Sequence, residues 1–135
     1  MKVKLGVVEI EEEILKLGRE QPWNHNISLL NGVETSPKQQ LSHGKNLVKW
    51  ERIRPILESI DVSGKRVLDI GCNEGFFSIK ISNLASYVMG ADIDPLRIKK
   101  AKFVHSILQP KNLDFEVMDI YSSGFQELEQ FDLCI

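Results

Sequence analysis

Hydrophobic and polar residues follow two different periods along the chain. Up to Gly64, apolar residues recur every three or four positions, and this spacing predicts helices over residues 8–17 and 45–60. Gly18 is expected to end the first helix, and Pro55 predicts either a kink in the second helix or a later start. The predicted buried face of the first helix consists of Val8, Ile10, Ile14 and Leu17.

The segment between these two helices is rich in turn-forming residues. Asn31-Gly32 separates the apolar stretches ISLL and VET, and this dipeptide is typical of the tight turn of a β-hairpin. Residues 1–62 are therefore predicted to form a mainly helical extension: a helix, a hairpin-like segment and a second helix.

From Gly64 onward, short apolar runs alternate with amphipathic stretches that have the helical period. Strands separated by helices of this length form a parallel sheet with right-handed crossovers. The predicted fold class is therefore α/β, with a Rossmann-like parallel sheet over residues 63–135. The predicted strands are residues 67–70, 87–92, 113–118 and 131–135, and the predicted helices are residues 76–84 and 96–108.

The turn after the first predicted strand has an unusual composition. It reads GCNEG over residues 71–75, and the strand before it contains an acid, Asp69. In open α/β sheets, ligands bind beyond the carboxyl ends of the strands, and glycine lets the backbone approach them closely. Asp92 ends the second predicted strand, close to the spacing of about 20 residues at which a carboxylate reaches ribose hydroxyls in nucleotide-binding βαβ units. The sequence therefore predicts a site for a ligand that contains ribose.

Two kinds of ligand compete for a glycine loop of this type. A dinucleotide requires G-x-G-x-x-G, whereas this loop is G-x-x-x-G, and its pyrophosphate would be repelled by the nearby acids. S-adenosylmethionine contains ribose and adenine but no phosphate, and it carries an ammonium and a sulfonium. The charge argument favours S-adenosylmethionine, and a nucleotide remains the alternative. The acids expected to form a cup around the cation are Asp69, Glu74, Asp92 and Asp119.

Composition narrows the choice of partners. Of 135 residues, 42% are apolar and 27% are charged, and the formal net charge of -2 argues against a general nucleic-acid coat. No stretch approaches the roughly 18 apolar residues of a membrane span, and the acidic start of the chain is unlike a signal peptide. Cys72 and Cys134 are far apart and are expected to be reduced, which predicts a cytoplasmic protein.

Other residues that carry reactive or charged groups are expected to be structural. The three histidines do not share a metal-ligand spacing, so no metal site is predicted. Cys72 is expected to be buried beside the cofactor and not to act as a nucleophile, since no base is positioned for it. Lys99, Lys100 and Lys102 are expected to form a solvated helix face.

Four motifs, in this order, resemble those of class I S-adenosylmethionine-dependent methyltransferases: VLDIGCNEGFFSIKIS, GADIDP, FEVMD and FDLCI. The resemblance implies that Asp69 and the loop of residues 71–75 face the methionine end of the cofactor. Asn73 stands where the family usually has glycine, and asparagine is among the residues that best tolerate a left-handed backbone.

The later motifs imply contacts with the nucleoside. By the same resemblance, Asp92 binds the ribose hydroxyls and Ile93 packs on the adenine. Met118 and Asp119 are expected to meet the adenine edge.

The extension resembles a narrower family. PWNHNISL, NGVETSP and NLVKWERIRPIL are similar to the region before the methyltransferase domain in wobble-uridine tRNA methyltransferases, which include a carboxymethyl-transferring member. In that family the lysine of a K-W-[DE]-R segment reaches the cofactor, which implies this role for Lys49. The carboxymethyl member has a lysine after its P-W pair for the extra carboxylate of its donor, whereas this chain has Asn24-His25, so ordinary S-adenosylmethionine is the expected donor. The candidate cofactor-binding residues are Lys49, Asp69, Gly71, Cys72, Asn73, Gly75, Asp92, Ile93, Met118 and Asp119.

The family sheet has further strands after the fourth, so this chain is expected to be the cofactor-binding, N-terminal half of a methyltransferase. Its expected acceptor is tRNA, another nucleobase or a small molecule. Two alternatives remain: a non-catalytic S-adenosylmethionine-binding module that needs a partner, and a nucleotide-binding Rossmann-like domain. The fourth strand, residues 131–135, is expected to lie beside the first with an open apolar edge, which predicts self-association.

Overall fold

The computed structural model describes residues 4–37, 40–122, 124 and 130–135, without the side chains of residues 40–44. Its helices are α1 (Val7–Glu20), α2 (Gln40–Ser59), α3 (Phe76–Ser82) and α4 (Pro95–Leu108). Its strands are β1 (Arg66–Ile70), β2 (Tyr87–Asp92), β3 (Leu113–Val117) and β4 (Leu133–Cys134). None of the helices in these ranges is long and apolar enough to cross a membrane.

The strands form one parallel sheet in the order β3-β2-β1-β4. β1 lies inside the sheet because it is apolar on both faces: the neighbouring residues Val67 and Leu68 point to opposite sides and are 0% and 2% exposed. They pair with β2 on one side and with Leu133 and Cys134 of β4 on the other. The predicted α/β fold and the place of the fourth strand beside the first are confirmed.

Helix α1 differs from its prediction at two positions. Ile10, Ile14 and Leu17 are buried as expected, but Val8 is 65% exposed and faces away from the core. The expected stop at Gly18 is also wrong, because α1 continues to Glu20. Gly18 lies against the indole of Trp23, where a Cβ atom would approach Cδ1 to 3.2 Å, so this glycine serves close packing.

The second predicted helix is present but longer than expected, and the predicted hairpin is reduced to a tight turn with one bridge. α2 starts earlier than expected and contains Pro55 in its interior, which excludes the alternative of a late start. At the predicted hairpin, Asn31 and Gly32 have φ angles of 57° and 74°, both in the left-handed region that a tight hairpin turn requires. The flanking residues form a single antiparallel bridge, Ser28 with Glu34, and not two full strands.

One hydrophobic core runs from the extension into the sheet. Trp23 is 5% exposed, and its indole N–H donates to the carbonyl oxygen of Ile14 at 3.0 Å. The same core includes Val67 and Val88 of the sheet and Ile98 of α4. The division into residues 1–62 and 63–135 stays a prediction.

Candidate cofactor-binding site

The loop of residues 71–75 turns back at the carboxyl end of β1. The backbone N–H groups of Gly71 and Cys72 both donate to the carbonyl oxygen of Ala91 at the end of β2, at 2.7 and 2.9 Å. Three residues of the loop have left-handed backbone, namely Gly71 (φ 72°), Asn73 (φ 54°) and Gly75 (φ 90°). A Cβ atom added at Gly71 would meet no described atom within 4 Å, so bare backbone faces open space at this point.

Asp92 joins this loop to the one that follows β2. Its side chain is 8% exposed; Oδ2 accepts the N–H of Asn73 at 2.9 Å, and Oδ1 accepts the N–H of Asp94 at 2.9 Å. Each carboxylate oxygen has a second lone pair, so both can accept a further hydrogen bond. Asp92 therefore orders two loops and retains acceptors for a ligand.

Asp69 places a second buried carboxyl group at the same end of the sheet. It is 7% exposed, and its Oδ2 accepts the hydroxyl hydrogen of Ser78 at 2.5 Å. Burial raises the pKa of Asp69 to about 6, the Ser78 hydrogen bond lowers it, and the charge of Asp92 raises it further. Because the two carboxyl groups repel each other, a cation bound there would be stabilised by both.

The side-chain oxygen of Asn73 adds an acceptor to the same loop. Its Oδ1 is buried and has no hydrogen-bond partner among the described residues. Buried polar atoms are normally paired, so an unpartnered oxygen beside two acids fits a ligand that brings a donor such as an ammonium. The acceptors of this loop thus fit S-adenosylmethionine, whose ammonium donates hydrogen bonds.

Three predicted adenine contacts follow β2 and β3, which pair as far as Asp92 and Val117. Ile93 is 67% exposed and offers an apolar surface directly after Asp92. The backbone N–H of Met118 donates to the carbonyl oxygen of Asp92 at 2.9 Å, so these residues lie at adjacent strand ends. Asp119 is exposed, and its Oδ1 accepts the N–H of Tyr121 at 2.9 Å.

The other two predicted residues differ in burial. Cys72 is 3% exposed, and burial, with the charges of Asp69 and Asp92, raises the pKa of its thiol, so it stays a thiol. Lys49 lies on α2 with an exposed side chain. Among the described residues, no group of three or more metal-binding side chains has a geometry that could hold a metal ion.

Glu74 does not belong to the acidic cup, contrary to the expectation from its position in the loop. Its side chain is 0% exposed and its carboxylate is enclosed by the extension and α4. It accepts the N–H of Asn24 at 2.9 Å and that of His25 at 2.7 Å. Of the other acids expected in the cup, Asp69 and Asp92 lie beside the loop, and Asp119 is exposed after β3.

Lys100 is not on a solvated face, so this prediction is wrong as well. It is 1% exposed, and its Nζ lies 3.3 Å from Oε1 of Glu74. The helical period contained a signal, because Lys100 lies one turn before the buried Val104. The partner is 26 residues away in sequence, and no local pattern identifies it.

His25 is a further residue whose role the sequence did not indicate. It is 8% exposed, and its Nδ1 accepts the backbone N–H of Phe76, the first residue of α3, at 3.4 Å. Burial, followed by the positive charges of Arg97 and Lys49, lowers the pKa of His25 to about 4. Its imidazole is therefore neutral at pH 7.

Comparison with known proteins agrees with this fold. The sequence profile of a family described as "Methyltransferase domain" matches residues 61–135. The ubiquinone biosynthesis O-methyltransferase of Xanthomonas euvesicatoria is 30% identical over 94 residues, 70% of this chain and 38% of that protein. The tRNA U34 carboxymethyltransferase of Trichlorobacter lovleyi is 30% identical over 100 residues, 73% of this chain and 28% of that protein.

A solved structure shares the fold. The N-terminal domain of EvdMO1, crystallised with SAH, superposes with a TM-score of 0.72 at 20% identity and covers 96% of this chain and 53% of its own. The chain spans 28–38% of the length of the two curated relatives named above. The predicted methyltransferase class is confirmed, because the family profile matches more than half of the residues. The chain belongs to the methyltransferase-domain family.

Proposed function

We propose that this chain is the S-adenosylmethionine-binding portion of a methyltransferase. The observation that carries the proposal is the pair of buried carboxyl groups, Asp69 and Asp92, beside the left-handed loop of residues 71–75. When bound, S-adenosylmethionine supplies a methyl group on a sulfonium, and a sulfonium and an ammonium are the charges that two adjacent acids stabilise.

Each predicted residue is assigned to one part of the cofactor. Asp92 accepts the ribose hydroxyls with the lone pairs that the Asn73 and Asp94 N–H groups leave free. Gly71 lets the methionine part approach the backbone, and the unpartnered Oδ1 of Asn73 accepts from the ammonium. Cys72 and Gly75 support the loop. Ile93, Met118 and Asp119 contact the adenine, and Lys49 approaches the cofactor from α2.

Dinucleotide binding is the alternative within the same fold, and charge opposes it. A pyrophosphate placed on this loop would approach Asp69 and Asp92 without a basic side chain from the loop itself. A non-catalytic module that binds S-adenosylmethionine with a partner remains the alternative within the family.

Ordinary S-adenosylmethionine is preferred over a carboxylated donor. At the position after the P-W pair, the backbone N–H groups of Asn24 and His25 both bind Glu74. The side chain of His25 is neutral and buried. This segment therefore offers no cation of its own for an additional carboxylate.

For the acceptor, we propose tRNA. The support is the 30% identity of this chain over 100 residues to a tRNA U34 carboxymethyltransferase and the exposed basic residues Lys45, Lys49 and Arg52 on α2. A small-molecule acceptor is the alternative, as the name of the Xanthomonas relative indicates. Bulk tRNA should bind this chain, and the binding should weaken steeply as the salt concentration rises. At 50 mM salt a protein with about six phosphate contacts binds strongly, so an absence of binding at this concentration would contradict tRNA as the acceptor.

Two further predictions stand as proposals. A cytoplasmic location rests on two cysteines that are both free.

Self-association through β4 rests on the exposure of Cys134 and Ile135 at that edge, the latter 42% exposed. Light scattering over a range of concentrations tests the association, and a constant monomer mass contradicts it.

Isothermal titration calorimetry with S-adenosylmethionine, SAH and NAD tests the proposed function. The first two should bind and NAD should not. Asp92→Ala should weaken binding by at least about tenfold, since a tenfold change corresponds to about 1.4 kcal/mol and each lost charge-assisted hydrogen bond exceeds that. The matched control is Asp114→Ala, which removes an exposed acid that binds the Tyr87 hydroxyl in the same sheet. Equal binding of NAD, or unchanged affinity of the Asp92 variant, would contradict the proposal.

A further inference from the structure

A buried junction connects the extension to the glycine loop and to α4. It consists of the Glu74 carboxylate, the Lys100 ammonium and the backbone of residues 21–25. Glu74 and Lys100 are 0% and 1% exposed. Because both charges are removed from water, each must be compensated inside the junction.

The compensation is complete on both sides. Lys100 Nζ donates to the carbonyl oxygens of Gln21 at 2.5 Å and Pro22 at 3.0 Å, and to Glu74 Oε1 at 3.3 Å. These three contacts use the three hydrogens of an ammonium. The Glu74 carboxylate also accepts the N–H groups of Asn24 and His25, so both of its oxygens face donors.

Glu74 lies between two loop residues that have left-handed backbone conformations. The residues on either side, Asn73 and Gly75, have φ angles of 54° and 90°. Asn73 is held from the sheet side by the hydrogen bond of its N–H to Asp92. Glu74 is held from the other side, by the extension. The loop is therefore fixed between Asp92 and the buried junction.

We infer that Glu74 is a positioning residue: through the buried junction, the extension holds residues 71–75 in the shape that binds the cofactor. Glu74 acts through the backbone of Asn73 and Gly75 and does not touch the ligand. The part that concerns the cofactor rests on the proposed function. The extension therefore helps to shape the cofactor site through contacts that do not include the ligand.

The test compares Glu74→Gln with Glu20→Gln. An amide has one acceptor oxygen, so Glu74→Gln places an NH₂ group against donors that the carboxylate now accepts. Glu20→Gln is the matched control because Glu20 also joins α1 to α4, through Lys99 at 2.8 Å, but on the exposed surface and without contact to the loop.

Two measurements separate positioning from general stabilisation. Without ligand, amide hydrogen exchange of Asn73 and Gly75 should accelerate at least about tenfold in Glu74→Gln and remain as in wild type in Glu20→Gln. In calorimetry below the unfolding range, the Kd for S-adenosylmethionine should rise by about tenfold or more with a stoichiometry near one. A purely structural role would lower the stoichiometry and leave Kd unchanged, because only the unfolded fraction would fail to bind.

Glu74→Leu/Lys100→Met is the second variant, since it removes both charges together and leaves neither one buried alone. It should show the same loosened loop and raised Kd. Wild-type exchange rates at the loop in a folded variant, or an unchanged Kd, would overturn the inference. If the wild type itself binds no S-adenosylmethionine, the proposed function fails, and the role of Glu74 in cofactor binding fails with it. The exchange rates alone still decide whether the buried junction holds residues 71–75.

Discussion

At the scale of single residues, burial and partners give three acids of one loop region three different roles. Asp92 is hydrogen-bonded by two loop N–H groups and retains acceptors at the open end of the sheet. Asp69 has one hydroxyl partner, Ser78, and a raised pKa. Glu74 is compensated by a buried ammonium. Residue type alone does not distinguish them, and their different partners do.

The raised pKa of Asp69 predicts a pH dependence of stability. In the unfolded chain an aspartate has a pKa of about 3.9, so between about pH 4 and 6 the folded state binds more protons. The contribution of Asp69 to the free energy of unfolding therefore falls as pH rises through this window, by about 3 kcal/mol, and is constant above it. The difference between wild type and Asp69→Asn in urea unfolding from pH 4 to 8 isolates this slope, and a pH-independent difference would contradict it.

The same group predicts a pH dependence of binding with the opposite sign. A cationic ligand favours the ionised carboxylate, so the affinity for S-adenosylmethionine should increase as pH rises through about 6. Calorimetry at several pH values measures this increase. Asp69→Asn should remove it, and an affinity that falls with rising pH in the wild type would contradict the assignment.

At the scale of elements, the glycines have different reasons for their positions. Phe115 of β3 lies against Gly75 and Gly90, where added Cβ atoms would approach its ring to 2.5 and 2.6 Å. These two glycines therefore make room for a core side chain. Gly71 has no such neighbour, so its requirement comes from its left-handed backbone and from the ligand that the site is proposed to hold.

Gly71→Ala and Gly75→Ala should therefore separate binding from stability. Gly71→Ala should lower the free energy of unfolding by about 1–2 kcal/mol, the cost of a left-handed alanine, and weaken S-adenosylmethionine binding. Gly75→Ala adds an overlap with Phe115 to a similar strain and should cost about 3 kcal/mol or more. Urea unfolding and calorimetry measure both effects. Equal losses of stability, or normal binding by the Gly71 variant, would show that the two glycines are not distinguished in this way.

At the scale of the whole molecule, the extension and the sheet share one core and the buried junction. Lys100→Met should lower the free energy of unfolding by about 3–5 kcal/mol, because it leaves the Glu74 charge buried without its partner. Lys99→Met is the control, since it removes only an exposed ion pair with Glu20, and it should have a much smaller effect. Similar effects of the two substitutions in urea unfolding would contradict the role of the junction.

Local patterns predicted most of the fold. β2 has its predicted bounds, and the glycine loop and the end of β2 lie together as expected, because hydrophobic period and turn chemistry act over a few residues. The failures involve contacts that form only in the folded chain: Gly18, inside α1, lies against the indole of Trp23, and the buried Lys100 forms an ion pair with Glu74. Trp23 is five residues from Gly18 and Glu74 is 26 residues from Lys100, and the hydrophobic period predicts neither contact.

A crystal structure of this chain with SAH tests the central claim most directly. The ribose hydroxyls should lie within about 3 Å of the Asp92 carboxylate oxygens, the usual hydrogen-bond distance. The amino group of the methionine part should lie near Asn73 Oδ1, and the adenine should lie against Ile93. SAH bound at another surface, or a ribose held by other residues while Asp92 binds only the N–H groups of Asn73 and Asp94, would contradict the account.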